Sequence, residues 1–329
     1  MTNSTPSLPQ AILLAICLAL PLTHADTARE QRTVIVVLGT EGADEFADEF
    51  ASSAQHWREA CEQGGAQFVE IGTGPAEEGR GESDRDRVKE AITSFTGDEV
   101  WLVLIGHGTF DGREAKFNLR GPDFSDTDLA EWLGAIDAEA VVINTASASG
   151  SFVSALSGER RIVITATKSP TEVFFTRFGR HFAEAIGGLS EADLDNDEQV
   201  SLLESYLHAA GQVRAFYENE GRLATEHALL DDNGDGLGTR AEWFEGTTAV
   251  RVAREGAEPD GERARQRALV RSDFERNLTR ADRERRDELE RKVRDWRRKK
   301  EEIYAGDYYD RLEEWLTELA RIYQRAESS

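Results

Sequence analysis

Short apolar runs alternate with longer amphipathic segments through most of the chain. The apolar runs predict buried strands at 33–39, 67–71, 100–105, 141–144 and 162–165. The segments between them predict helices at 43–63, 84–95, 126–136 and 174–186, and Phe46, Phe50, Ala54 and Trp57 share one face of the first helix. Residues 74–83 predict a loop. This alternation indicates an α/β fold, with a mostly parallel sheet flanked by helices.

The pattern changes after about residue 246. Residues 254–262 are a candidate linker, and 262–304 are dense in charge, above all in arginine. Leu289, Val293, Trp296, Lys300 and Ile303 form a narrow seam at helical spacing, and Tyr309, Leu312, Leu316, Leu319 and Tyr323 repeat it after a turn at 305–307. The spacing predicts a C-terminal α-helical hairpin over 262–325. We interpret the arginine run as a solvated helix face.

The first residues predict export. Residues 11–22 form an apolar run that is too short to span a bilayer but is typical of the core of a signal peptide. Thr23, His24 and Ala25 follow it at the spacing of a cleavage site. The sequence therefore predicts a signal peptide over 1–25, a periplasmic or secreted protein, and no transmembrane segment in the mature chain.

Charge and cysteine content narrow the possible partners. The formal net charge is −24 and the pI is about 4.7, which argues against nucleic acid and anionic membranes as partners. Basic residues are mostly arginine, which favours a bacterial source.

Cleavage at residue 25 would leave only Cys61, so no internal disulfide is expected and we interpret Cys61 as a buried structural thiol. The oligomeric state has no signature in the sequence.

Two predicted strands end in small polar residues. One is Leu104-Ile105-Gly106-His107-Gly108, and the other is the segment 143–152, INTASASGSF. The carboxyl ends of parallel strands meet at one edge of a sheet, where α/β enzymes place their chemistry. We therefore expect His107 and Ser147 to lie close together at the ends of adjacent strands.

These two stretches resemble the histidine and cysteine motifs of the caspase and legumain peptidases, and the resemblance covers about 33–246. It implies a caspase-like fold in which His107, flanked by glycines, takes the histidine position. Ser149 and Gly150 match the Ser-Gly that follows the family cysteine, and Ser147 stands where that cysteine would be. The resemblance also implies that the histidine protonates the leaving amine and that backbone N–H groups at Gly108 and Gly150 hold the oxyanion.

The serine at position 147 separates two interpretations. A thiol ionises easily, whereas a serine hydroxyl needs a base within hydrogen-bond reach. The resemblance implies that the family histidine stands too far from the nucleophile to serve as that base. The favoured interpretation is a catalytically inactive homologue that acts as an interaction module for a peptide or protein partner. The alternative is an active peptidase or hydrolase that uses Ser147 with His107.

Two acidic segments have the spacing of twelve-residue calcium loops. In 231–242 the oxygen ligands are predicted to be Asp231, Asn233, Asp235, the Leu237 carbonyl, Thr239 and Glu242. Gly236 suits the sharp turn, although Gly238 occupies a position that is usually aliphatic. We expect this loop to bind calcium.

The second segment, 193–204, has Asp193, Asp195, Asp197, Ser201 and Glu204 at the same spacing. Glu198 replaces the turn glycine, and a side chain there resists positive φ, so weaker calcium binding is expected. The alternative for both segments is a pair of Asx-rich turns that cap helices at 202–218 and 239–244. The two loops could pair with each other or decorate the core separately.

Overall fold

The structure is a computed structural model that describes residues 32–73 and 82–327. The predicted signal peptide over 1–25 and most of the predicted loop at 74–83 lie outside these residues. Within the described ranges, no helix is both long and apolar enough to cross a membrane.

The described residues form three sheets. The strands are β1 (Arg32–Leu38), β2 (Gln67–Ile71), β3 (Glu99–Ile105), β4 (Gly108–Phe110), β5 (Ala115–Phe117), β6 (Phe124–Ser125), β7 (Glu139–Asn144), β8 (Arg161–Thr165), β9 (Leu229–Asp231), β10 (Thr239–Arg240), β11 (Phe244–Glu245) and β12 (Thr248–Ala249). The main sheet has the order β10-β9-β8-β7-β3-β1-β2, in which the pairs β8–β9 and β9–β10 are antiparallel and the other pairs are parallel. The predicted mostly parallel sheet is confirmed.

Helices cover both faces of this sheet. They are α1 (Asp44–Gly64), α2 (Asp84–Thr93), α3 (Asp126–Gly134), α4 (Ser151–Leu156), α5 (Phe178–Ile186), α6 (Leu202–Asn219), α7 (Glu262–Arg265), α8 (Asp273–Asn277), α9 (Arg280–Arg298) and α10 (Ala305–Glu327), with 3-10 turns at Ser190–Ala192, Ala241–Trp243 and Lys300–Glu302. Trp57, Trp101 and Phe182 fill the core on the side of α1, α5 and α6. Leu102 and Phe152 fill it on the side of α2, α3 and α4. The central strands are apolar on both faces because both faces are covered.

The helix predicted over 174–186 starts late. Residues 168–177 form a loop instead, and α5 begins only at Phe178. The backbone N–H groups of Arg177 and Phe178 donate to the carboxylate of Glu226, which satisfies donors that a helix start leaves without partners. A residue far along the chain therefore fixes this boundary.

The predicted C-terminal hairpin is confirmed for α9 and α10, which pack around Leu289, Leu319 and Ile322. Its amino-terminal bound is wrong, because 262–277 fold separately as α7 and α8.

The candidate linker at 254–262 also ends sooner than predicted. Asp260 is buried, and its carboxylate accepts hydrogen bonds from the N–H of Asp232 and the hydroxyl of Thr239.

The interpretation of the arginine run as a solvated face is wrong in part. The side chain of Arg286 is 11% exposed and pairs with the carboxylates of Glu275 and Asp287. Burial of an arginine at this level requires charged partners, and the short helix α8 supplies one of them.

Candidate functional site at the carboxyl edge of the sheet

His107 and Ser147 follow neighbouring strands. β3 and β7 pair in parallel with Leu104 opposite Asn144, so both residues emerge at the carboxyl edge of the sheet. The predicted placement at the ends of adjacent strands is confirmed. The loop after β3 and the loop after β7 touch through Gly108 and Ser147.

The hydroxyl of Ser147 is occupied by the backbone. Its Oγ accepts a hydrogen bond of 3.1 Å from the N–H of Gly108 and donates one of 3.0 Å to the carbonyl of the same residue. The side chain is buried, at 4% exposure. Because a hydroxyl carries one proton, the donated bond leaves Ser147 without a proton to pass to a base.

Glycine at 108 is required by this contact. A Cβ at Gly108 would lie 2.1 Å from the carbonyl oxygen of Ser147 and 3.2 Å from that of Lys116. Gly106 is crowded in the same way, since its Cβ would lie 3.0 Å from the Cα of Gly39. The glycines that flank His107 therefore allow backbone segments to approach closely.

His107 faces a different loop. Its Nε2 lies 3.1 Å from the carbonyl oxygen of Glu41, and because a carbonyl only accepts, this nitrogen carries the proton. The ring packs edge-on against Phe46, Phe50 and Phe175, with centroids 4.8, 5.4 and 6.0 Å away. Among the described residues, no hydrogen bond joins the His107 and Ser147 side chains.

Backbone donors after Ser147 are also in use. The N–H of Ala148 donates to the carbonyl of Glu172, and the N–H of Gly150 donates to the hydroxyl of Thr167 at 3.0 Å. Ala148 adopts a positive φ of 54°, which is uncommon for a residue with a side chain. The Gly108 N–H already serves Ser147, so both predicted oxyanion donors have protein partners in this conformation.

The sequence patterns did not identify Thr167 and Glu172 as part of this edge. Thr167 is fully buried and also bonds the hydroxyl of Ser149, while the carboxylate of Glu172 accepts from Nδ1 of His227 at 2.6 Å. Thr167 directly precedes the loop at 168–177, and Glu172 lies within that loop. Residues 174–177 of the loop belong to the segment whose apolar pattern predicted a helix. That loop also exposes Val173 at 51% and Phe174 at 66%.

The loop at 193–204 gathers its carboxylates. One oxygen from each of Asp193, Asp195 and Asp197 lies within 4.8 Å of the others. Burial, and next to it the charge of Asp195, raise the pKa of Asp197 to about 6. Glu198 adopts a positive φ of 65° at the turn position, so the missing glycine does not prevent the turn.

Glu204 has a structural role in that loop. Its Oε1 accepts from the N–H of Leu194, and its Oε2 accepts from the N–H and hydroxyl of Ser201, forming a capping box at the start of α6. The predicted ligand therefore caps the helix that follows the loop.

The loop at 231–242 is arranged differently. The Thr239 hydroxyl donates to Asp260, and Glu242 pairs with Arg240 at 3.5 Å with its side chain 50% exposed. Asn233 Oδ1 accepts from the N–H of Asp235, as in an Asx turn. Among the described residues, the acidic members of this loop do not form a three-carboxylate cluster.

Asp231 differs from Thr239 and Glu242, because one of its carboxylate oxygens has no protein partner. Its Oδ2 is buried without a hydrogen-bond partner, and its Oδ1 accepts from the N–H of Gly234. Burial raises the pKa of Asp231. Two predicted ligands of this loop already have protein partners, because Thr239 bonds Asp260 and Glu242 pairs with Arg240.

Comparisons with known proteins find distant similarity in solved structures. No family model matches the sequence, and no curated protein matches it. The crystal structure of the Drosophila initiator caspase Dronc is similar to this chain at a TM-score of 0.38 and 12% sequence identity, over 62% of this chain and 80% of that chain.

Proposed function

We propose that this protein is a catalytically inactive peptidase-like module that binds a peptide or protein partner outside the cytoplasm. The observation that carries the proposal is the pair of hydrogen bonds between Ser147 Oγ and Gly108, because they engage the Ser147 hydroxyl with the backbone, and no hydrogen bond among the described residues joins it to His107. A serine without a base in reach is a poor nucleophile at neutral pH.

The surface beside His107 supports partner binding. Phe174 and Val173 are exposed next to the ring cluster of His107, Phe46 and Phe175. Exposed aromatic side chains are typical anchors for a partner's apolar residue. The acidic charge of the chain favours a peptide or protein over nucleic acid. The predicted signal peptide supports a periplasmic or secreted location.

We expect the natural protein to leave peptide substrates uncleaved and to remain unlabelled by a fluorophosphonate. Replacing Ser147 with alanine should leave both results unchanged while lowering the free energy of unfolding by about 1–2 kcal/mol, since two hydrogen bonds to Gly108 are lost. Mass spectrometry after incubation with the fluorophosphonate measures labelling, and urea denaturation measures the free energy of unfolding.

A cysteine restores the nucleophile that the resemblance implies. We expect Ser147→Cys to be alkylated by a peptidyl chloromethyl ketone, because a thiolate needs no base at the moment of attack. Ser154→Cys, an exposed position on α4, is the matched control and should react only at the rate of a free thiol. Turnover by the natural protein that disappears in Ser147→Ala would replace this proposal with a serine hydrolase.

We also propose that the loop at 193–204 binds calcium. The close approach of Asp193, Asp195 and Asp197 supports it, since a divalent cation would remove the repulsion among their carboxylates. Loops of this kind in extracellular modules bind at roughly 10⁻⁴–10⁻³ M. The loop at 231–242 retains Asp231, Asn233, Asp235 and the Leu237 carbonyl as oxygen ligands, and we expect it to bind more weakly.

Calcium at about 10 mM should raise the free energy of unfolding by about 1–3 kcal/mol relative to EDTA at equal ionic strength. Asp195→Asn should remove most of that gain, because it deletes one carboxylate of the cluster, whereas Asp235→Asn should remove little of it. Thermal melts of the three proteins measure this. Superimposable melts of the natural protein with calcium and with EDTA would show that the acidic loops are only turns.

A further inference from the structure

A cavity of about 440 Å³ lies at the amino edge of the main sheet, opposite the edge that carries Ser147. Arg32, Glu99 and Glu139, at the starts of β1, β3 and β7, form one wall. The other walls come largely from α7, the segment that follows it, and α9. The cavity therefore lies between the α/β core and the C-terminal helices.

Positive charge is in excess in this cavity. Nine arginines and six carboxylates line it in a chain whose formal net charge is −24, and Ala268 is its only apolar lining residue. Each of the six carboxylates already has an arginine partner, for example Glu139 with Arg267 at 2.7 Å and Glu284 with Arg280 at 2.8 Å. The lining carboxylates therefore do not offset all of the arginine charge.

Two guanidinium groups of the lining have only backbone partners. Arg263 Nη1 donates to the carbonyls of Glu159, Arg161 and Asp232, and Arg291 Nε donates to the carbonyl of Asp287. In the described part of the chain, no carboxylate lies within 4.0 Å of either group. Burial is the main cause that lowers the pKa of Arg263; the nearby charge of Glu139 opposes this shift, and the charge of Arg267 adds to it.

We propose that this cavity binds a small phosphate-bearing anion that carries several negative charges. Guanidinium groups present paired N–H donors that match phosphate oxygens, and the volume is in the range of small-molecule sites. Gln199 and Gln266 add neutral amide groups to the lining. The inference is independent of the proposed function, because the site shares no residue with the edge that carries His107 and Ser147.

Such an anion would join the two parts of the molecule that form the walls. It would contact arginines at the strand starts, such as Arg32, and arginines of α7 and α9, such as Arg263 and Arg291. Bound anion is therefore expected to stabilise the packing of the C-terminal helices on the core.

Titration calorimetry with inorganic tripolyphosphate tests the site, using the full mature chain in a buffer without phosphate. Arg160 also lines the cavity, and its guanidinium group pairs with Asp137, which is not part of the lining. We expect saturable binding to the natural protein, and at least about tenfold weaker binding when Arg160→Gln and Arg291→Gln are combined, which is about 1.4 kcal/mol. Arg297→Gln is the matched control, because it removes the same charge from an exposed position of α9 outside the cavity.

Calorimetry of these variants can give results that overturn the proposal. Arg291 is exposed, so Arg291→Gln alone serves if the double variant does not fold, and about threefold weaker binding is then expected. Absence of saturable binding would overturn the proposal. Equal weakening in Arg297→Gln would overturn it too, because a diffuse charge effect would then explain the affinity. A change confined to the cavity variants supports it.

Discussion

Replacing Gly108 with alanine is expected to lower the free energy of unfolding by about 3–4 kcal/mol, the largest effect we predict for a single methyl group in this protein. The new Cβ would lie 2.1 Å from the Ser147 carbonyl oxygen. The three atoms nearest to it all belong to the backbone of Ser147 and Lys116. The two loops would have to separate, which breaks both hydrogen bonds between Gly108 and the Ser147 hydroxyl. Urea denaturation at neutral pH measures the loss.

Gly211→Ala is the matched control for that substitution. Gly211 lies inside α6, and a Cβ there would meet no atom within 4 Å. Alanine favours the helix over glycine, so this variant should gain up to about 1 kcal/mol. A Gly108→Ala protein as stable as the natural one would show that the two loops are not in the close contact described here.

Glu226→Gln is expected to stabilise the protein by about 2–3 kcal/mol above pH 7 and to have little effect near pH 4.5. Burial raises the pKa of Glu226 from 4.5 to about 7, and the N–H groups of Phe178 and Arg177 offset only part of that rise. A carboxyl whose pKa is raised in the folded state contributes stability below its unfolded pKa. That contribution is lost as the pH rises through its folded pKa.

The glutamine mimics the protonated form and keeps an oxygen for the two N–H donors at the start of α5. Unfolding free energies measured from pH 4.5 to 8 should therefore diverge between the two proteins as the pH rises. Glu218→Gln is the control, since the side chain of Glu218 is 71% exposed. The difference in unfolding free energy between this variant and the natural protein should not grow in this way as the pH rises. Parallel curves for the natural protein and Glu226→Gln would contradict the burial argument.

Local patterns predicted the elements that depend on near neighbours. The strands around Val34, Leu102 and Val142 followed from apolar runs, because a strand covered on both faces has no polar side. The helix predicted to begin at residue 126 does begin there, since the Ser125 hydroxyl accepts a hydrogen bond from an N–H group only three residues away. Each of these features depends on a few consecutive residues.

Specific side-chain contacts between distant residues were not predicted. The start of α5 depends on Glu226, and the arrangement of the 231–242 loop depends on Asp260 and its bond with Thr239. The arginines of α9 looked like a solvated face because their partners, such as Glu275, lie on another element.

The sequence by itself determined the α/β alternation, the C-terminal helices, and the placement of His107 and Ser147 at one sheet edge. Only the tertiary structure decided what those two side chains contact: Ser147 bonds Gly108, and His107 lies against Glu41 and three phenylalanine rings. The alternation of strands and helices follows from patterns of burial that a chain carries along its length. A hydrogen bond follows from distances of a few tenths of an ångström, and these are set by the close packing of segments that are far apart in the chain.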